Sequence, residues 1–262
     1  MKNKIIINWM YPRSLSTVFM RSISKRGDFK TVFEPFLPLY WGKRTDQKGV
    51  VHKDYEGWPN DYEGIKSKIY KLAETSNLYI KECAFHAIDT FLADEDFLKR
   101  CTHMFQIRDP KRCVLSSWKV RGTQKRRLPE LSVEASYKMC QKLTELKLHL
   151  LDGGKTPLVI DGEDFQNDPE GIMQAWCKAV GVDFKPEAME WEPEWRSEYS
   201  HWEACYFDVA GSKGVQKNME AFLYDERLIN AIFEDLPLLK MVYEYHLPFH
   251  EALYKYRLQP KK

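Results

Sequence analysis

The stretch Lys4-Ile5-Ile6-Ile7-Asn8-Trp9-Met10-Tyr11-Pro12-Arg13-Ser14-Leu15-Ser16-Thr17-Val18-Phe19-Met20-Arg21-Ser22-Ile23 decides how the chain folds. Residues 4–10 form a nearly continuous apolar run, the pattern of a strand covered on both faces in a parallel sheet. Pro12 ends that run, and Leu15, Phe19 and Ile23 then recur at the spacing of one helix face. The first unit is therefore strand, polar turn, helix.

Further strand candidates follow at 31–34, 78–81, 103–108 and 157–161, separated by stretches long enough for crossover helices. The alternation predicts an α/β fold with a central parallel sheet flanked by helices, and the C-terminal third reads as mainly helical. Right-handed crossovers place the C-terminal strand ends, and the loops after them, along one edge where ligands bind. Gly, Pro and Tyr without a clear period fill 36–62, and a loop at 121–131 carries Lys125, Arg126 and Arg127.

At 262 residues and 44% hydrophobic, the chain is long enough to bury a full core and short for two catalytic units, so one domain over 1–262 is expected. Lys and Arg total 40 against 38 Asp and Glu, a net +2, which argues against a general nucleic-acid binder held by a long-range positive field. Basic function has to be local. The six cysteines, Cys83, Cys101, Cys113, Cys140, Cys177 and Cys205, make no CxxC pair and no zinc spacing, which fits a reducing compartment. The opening apolar run is too short for a signal core or a membrane span, and a soluble cytoplasmic protein is expected.

Two segments read as anion sites. Arg13, Ser14, Leu15, Ser16 and Thr17 lie between the first strand and its helix, where backbone N–H groups and the positive helix end favour an anion. The competing explanation is a Ser/Thr cap, and the Gly-Lys pair of a Walker A loop is absent. The second segment runs from the strand ending at Arg108 through Asp109-Pro110 into a helix with Ser116 eight residues after the arginine.

Together these motifs resemble the nucleotide-phosphate motifs of sulfotransferases dependent on 3′-phosphoadenosine 5′-phosphosulfate (PAPS). The similarity covers roughly residues 4–182. It takes in Leu158-Val159-Ile160-Asp161-Gly162-Glu163-Asp164-Phe165 and the following Asp168-Pro169-Glu170-Gly171, before a helix ending near Gly181. The resemblance implies a P-loop-like three-layer fold, with residues 13–17 cradling the 5′-phosphosulfate and Arg108 with Ser116 gripping the 3′-phosphate. Leu15 stands where the family commonly has glycine, and an ordinary helical φ is expected there. Gly211-Ser212-Lys213-Gly214 is a faint counterpart of the loop that closes over the 3′-phosphate, and Lys213 is carried over with it.

The same resemblance implies sulfuryl transfer from PAPS to a hydroxyl or amine of a small-molecule acceptor, releasing 3′-phosphoadenosine 5′-phosphate (PAP). No metal, nucleic acid or membrane takes part. Such chemistry needs a base, and His86 and Glu34, each just after a strand, are the candidates, with His86 ranked ahead. Lys81 and Arg13 are the cations for the leaving oxygen, although either fits equally as an ion-pair partner of Glu82 or Glu34. His103, inside a strand, reads as a core histidine, and His246 and His250 as packing groups.

Trp195, Tyr199, Trp202 and Tyr206 fit one stripe of a helix after Pro193, serving as core or as an acceptor wall; Trp41, Tyr55, Trp58 and Tyr62 serve as the opposite wall or as a lid. The basic run Lys119, Arg121, Lys125, Arg126 and Arg127 reads as a solvated loop or as a nucleotide or acidic-acceptor contact. The alternatives to a sulfotransferase are a P-loop-like small-molecule kinase or NTPase, with Asp161 at a metal-binding strand end, and a catalytically inactive nucleotide-binding module.

Overall fold

The computed structural model describes residues 2–42, 57–121, 128–216 and 221–259, with only the backbone given at 121, 129, 201, 202, 221 and 222. Lys125, Arg126, Arg127 and Tyr55, and the side chains of Trp202 and Arg121, lie outside the described residues.

The chain runs β1 (Ile5–Met10), α1 (Ser16–Lys25), β2 (Phe29–Phe33), α2 (Leu37–Trp41), α3 (Tyr62–Ala73), β3 (Asn77–Glu82), α4 (Ile88–Ala93), α5 (Glu95–Arg100), β4 (Thr102–Ile107), α6 (Pro110–Arg121), α7 (Val133–Glu145), β5 (Leu158–Asp161), α8 (Gly162–Asn167), α9 (Pro169–Val180), α10 (Phe207–Ala210), α11 (Glu226–Asp235) and α12 (Pro237–Tyr254). The five strands are all parallel in the order β2-β3-β1-β4-β5. They fall on the five predicted runs with ends moved by one or two residues. β2 starts at Phe29 and closes before Glu34, and β4 closes before Arg108.

β1 is central and buried at every position. Ile5, Ile7 and Trp9 join a core with residues of α3, α4, α5, α6, α7 and α12, while Ile6 faces a second core with residues of α1, α8 and α9. The result is the expected three-layer arrangement of helices, sheet and helices. Because β1 has β3 on one side and β4 on the other, the strand order reverses at its C-terminal end, where a crevice opens for a ligand.

A buried polar chain crosses the sheet towards that crevice. Asn8 Nδ2 donates to Tyr79 Oη at 2.7 Å and to Gln106 Oε1 at 2.8 Å, and Gln106 Nε2 donates to the Ser14 carbonyl at 3.2 Å. Three strands and the β1–α1 loop are thereby tied together, since leaving any of these buried groups unpaired costs about 1–3 kcal/mol. His103 packs as expected: it accepts from Trp9 Nε1 and bonds the Leu98 carbonyl, and burial lowers its pKa to about 4.

The stripe at 195–206 is a correction. Residues Ser197–Cys205 form a 3-10 helix rather than an α-helix, so the i, i+4, i+7 spacing draws no single face. Tyr199 is buried and stacks on Tyr206 with ring centroids 5.0 Å apart, whereas Trp195 lies outside this helix and is 43% exposed. All six cysteines carry free thiols. Among the described residues no helix is long and apolar enough to cross a membrane.

Gly162, the first residue of α8, meets the β1–α1 loop at close range: a Cβ there lies 2.4 Å from the Ser14 carbonyl oxygen. Gly162→Ala is expected to lower the unfolding free energy in urea by about 1–3 kcal/mol, the range of small-to-large substitutions in packed sites. Unchanged stability would show that the loop yields freely.

Candidate functional site

The β1–α1 loop is held with its carbonyls turned inward. Arg108 Nη1 donates to the Arg13 carbonyl at 3.2 Å, Gln106 to the Ser14 carbonyl, and Ser14 N–H to the Tyr11 carbonyl at 3.2 Å. Arg13 and Leu15 sit at φ 70° and 64°, with Ser14 between them on the ordinary side. That alternation is the backbone pattern of an anion-binding nest, with the Ser14 N–H already taken by the Tyr11 carbonyl, so the donors left for an anion are those at the start of α1. The ordinary helical φ expected at Leu15 is therefore overturned: Leu15 is the left-handed N-cap of α1, at φ 64° and ψ 16°, a conformation costing a branched residue roughly 1–2 kcal/mol.

Nor does a Ser or Thr cap account for the segment. The cap residue is Leu15, no side chain bonds the helix end, and the first turn of α1 contains no acid. The leading N–H groups of a helix have no partner within it, and here they meet the cleft through Leu15, Ser16, Thr17 and Val18. Ser14 lies deeper, its hydroxyl buried without a hydrogen-bond partner among the described residues.

The two arginine motifs converge on Arg13. Its Nε donates to Ser116 Oγ at 2.9 Å and its Nη1 to the Cys205 carbonyl at 2.7 Å, while Arg108 holds its backbone. Arg108 is buried beside Glu163, 3.4 Å away, and Arg112 pairs with the same carboxylate while lying over the Tyr224 ring at 4.3 Å. Glu163 thus stands against two cations of a motif that otherwise favours an anion. Asp161 does not present a free carboxylate at the strand end: it caps α8 by accepting from the N–H groups of Glu163 and Asp164, and burial raises its pKa to about 7.

A second cluster closes the cleft. Glu34, just past β2 at φ 41°, ion-pairs with Lys81 at the end of β3, whose ammonium also lies 4.1 Å from the Phe33 ring centroid. The next residue, Glu82, is fully buried. Its Oε2 accepts from Phe36 N–H at 2.9 Å and its Oε1 from Cys83 N–H at 2.8 Å and from His86 Nδ1 at 2.6 Å. Burial raises the Glu82 pKa against the opposing pull of His86. With Glu82 ionised its carboxylate can only accept, so His86 then carries its proton on Nδ1 and presents Nε2 as an acceptor.

Arg13, Arg108, Lys81, Glu34 and His86 line one cleft with the apolar Met10, Trp41 and Phe85 and with Tyr206 and Val209 from the C-terminal third. Trp58 and Lys213 lie elsewhere. Trp58 lines a separate groove under Lys68, and Lys213 a shallow depression beside Asp168 and Gly214. Trp195 packs on Tyr199 and Phe207.

Glu82 and Glu163 were not singled out as site residues by sequence reasoning, whereas Tyr206 belonged to the aromatic stripe offered as an acceptor wall. Only the four-residue step from Glu82 to His86 hinted at the first. No metal-ligand spacing is visible in the sequence either, yet the fold brings ligand atoms of Glu34, Cys83 and His86 within 4.8 Å of one another.

Comparison with known proteins places this architecture. The sequence profile of the family described as Sulfotransferase domain matches residues 3–232. The sulfotransferase domain from the curacin biosynthetic pathway superposes with a TM-score of 0.52 at 14% identity, over 90% of this chain and 98% of that one. Two Arabidopsis thaliana proteins are similar in sequence. Branched-chain-amino-acid aminotransferase-like protein 1 is 26% identical over 193 residues, 72% of this chain, and protein 2 is 21% identical over 224 residues, 84% of it. The chain spans about a third of their length, 32% and 38%.

Glu163→Gln is expected to tighten binding of inorganic pyrophosphate about fivefold in calorimetry, the effect of removing an ion-pair competitor worth about 1 kcal/mol. Unchanged or weaker binding would mean that Glu163 only orients the arginines.

Proposed function

The chain belongs to the sulfotransferase domain family, and from that premise we propose that it transfers a sulfuryl group from PAPS to a hydroxyl or amine of a small-molecule acceptor, releasing PAP. The observation that carries this reading is the cleft in which Arg13, the start of α1 and Arg108 meet His86, which Glu82 holds from behind.

In this reading the nest and Arg13 hold the 5′-phosphosulfate, and Arg108, with Ser116 behind Arg13, holds the 3′-phosphate. The acceptor proton passes to His86 Nε2 as the acceptor oxygen or nitrogen bonds to sulfur. The bond from sulfur to the 5′-phosphate oxygen breaks, and the charge left on that oxygen is met by Lys81 and Arg13. Glu82 keeps the imidazole in the right tautomer and stabilises the imidazolium that forms, the part a buried carboxylate plays beside a histidine base. Glu34, engaged with Lys81, aims the ammonium. Trp41, Phe85 and Tyr206 give the acceptor an apolar wall, which favours a body with aromatic or aliphatic surface. The cations are few and local, so neither nucleic acid nor a membrane is required, and the free thiols suit the cytoplasm.

PAP at a hundredfold excess over its Kd is expected to raise Tm by about 5–10 °C. Arg108→Ala should nearly abolish the shift, and absence of any shift in the unaltered protein would sink the PAPS reading. Glu82→Gln is expected to lower kcat on the order of 10²-fold with KM for PAPS little changed, measured in steady-state sulfotransfer. An undiminished kcat would remove the Glu82–His86 pair from the mechanism and leave Glu34 as the base.

A further inference from the structure

We propose that Glu34, Cys83 and His86 form a zinc site whose occupation shuts the cleft down. The three residues come from the ends of β2 and β3 and from the short 3-10 turn Ala84–His86. All are buried, all line the cleft, and their ligand atoms lie within 4.8 Å of one another. Bonds of about 2.0–2.3 Å at tetrahedral angles separate neighbouring ligand atoms by about 3.3–3.6 Å. Each pair therefore needs to close by little more than an ångström.

The second observation is Glu82. Its carboxylate takes His86 Nδ1 at 2.6 Å, which leaves Nε2 for the ion. A carboxylate behind a ligating histidine is the outer support that metal-binding imidazoles carry, fixing the tautomer and raising ligand basicity. Thiolate, imidazole and carboxylate together select zinc over magnesium or calcium, and the open side of the cleft leaves a fourth position for water.

Binding exchanges the Cys83 thiol proton, released to solvent, for a sulfur–zinc bond. The thiolate and the Glu34 carboxylate bring two negative charges to the ion, and with Lys81 kept on the second carboxylate oxygen the cluster carries one net positive charge. The inhibition rests on the sulfotransferase reading, because zinc occupies the nitrogen that would accept the proton; the binding does not.

Cobalt(II) is the probe, added to metal-free full chain. One equivalent is expected to produce the thiolate-to-cobalt charge-transfer band in the near ultraviolet and the intense visible bands of tetrahedral cobalt, displaced by zinc. Cys83→Ser should lose the charge-transfer band. If that variant does not fold, X-ray absorption of the zinc-loaded unaltered protein is expected to show one sulfur at about 2.3 Å with nitrogen and oxygen at about 2.0–2.2 Å. Absence of the bands, their persistence in folded Cys83→Ser, or a zinc shell without sulfur would overturn the site. Stoichiometric zinc should also lower sulfotransfer turnover at least tenfold, restored by chelation. Undiminished turnover with the ion bound would overturn the inhibition, and cobalt bands in a protein with no PAP response would retain the site while the sulfotransferase reading fails.

Discussion

Everything in the cleft depends on a backbone loop held inside out. Arg13 and Ser14 turn their carbonyls into the protein because Arg108 and Gln106 take them, and the start of α1 is left to meet the cleft. The arrangement requires left-handed conformations at Arg13 and Leu15, unfavourable for side chains with a Cβ. It persists because the surrounding structure over-determines it: Gln106 is itself fixed by Asn8, Arg13 by Ser116 and the Cys205 carbonyl, and Gly162 leaves room for the Ser14 carbonyl. Such strain, held by surrounding contacts, is what a preformed loop of this shape requires.

The same economy appears across the sheet. Neighbouring residues at the end of β3 make two different pairs, Lys81 with Glu34 and Glu82 with His86. Alternation along a strand sends consecutive side chains to opposite faces, so one strand end supplies both an aimed cation and an oriented imidazole. The near-neutral net charge fits this pattern: cations in the cleft face carboxylates a few ångströms away, so positive potential is local rather than spread over the surface.

How far the sequence could be read depended on the range of the interaction. Five apolar runs marked the five strands, and Asp-Pro and Gly181 marked the limits of α9, whose first turn Asp168 caps and whose end Gly181 closes at φ 68°. Arg13, Arg108, His86, Glu34 and Lys81 were legible because each lies at or just past the end of a strand, and strand ends of a parallel sheet gather at one edge. The aromatic segment at 195–206 misled, because helical spacing was read where a 3-10 helix forms. Leu15 misled because residue type argues against a left-handed φ and only the surrounding contacts impose it.

Sequence alone determined the strand-loop-helix order, the three layers and the side chains that could meet an anion, since burial and periodicity are written locally. Tertiary structure decided which of them meet. Glu163 stands 55 residues from Arg108, Ser116 lies 103 from Arg13, and Cys83 and His86 join Glu34 only because β2 lies beside β3. Those contacts follow from strand order and from the packing of loops at one sheet edge, and no local pattern of residues encodes either.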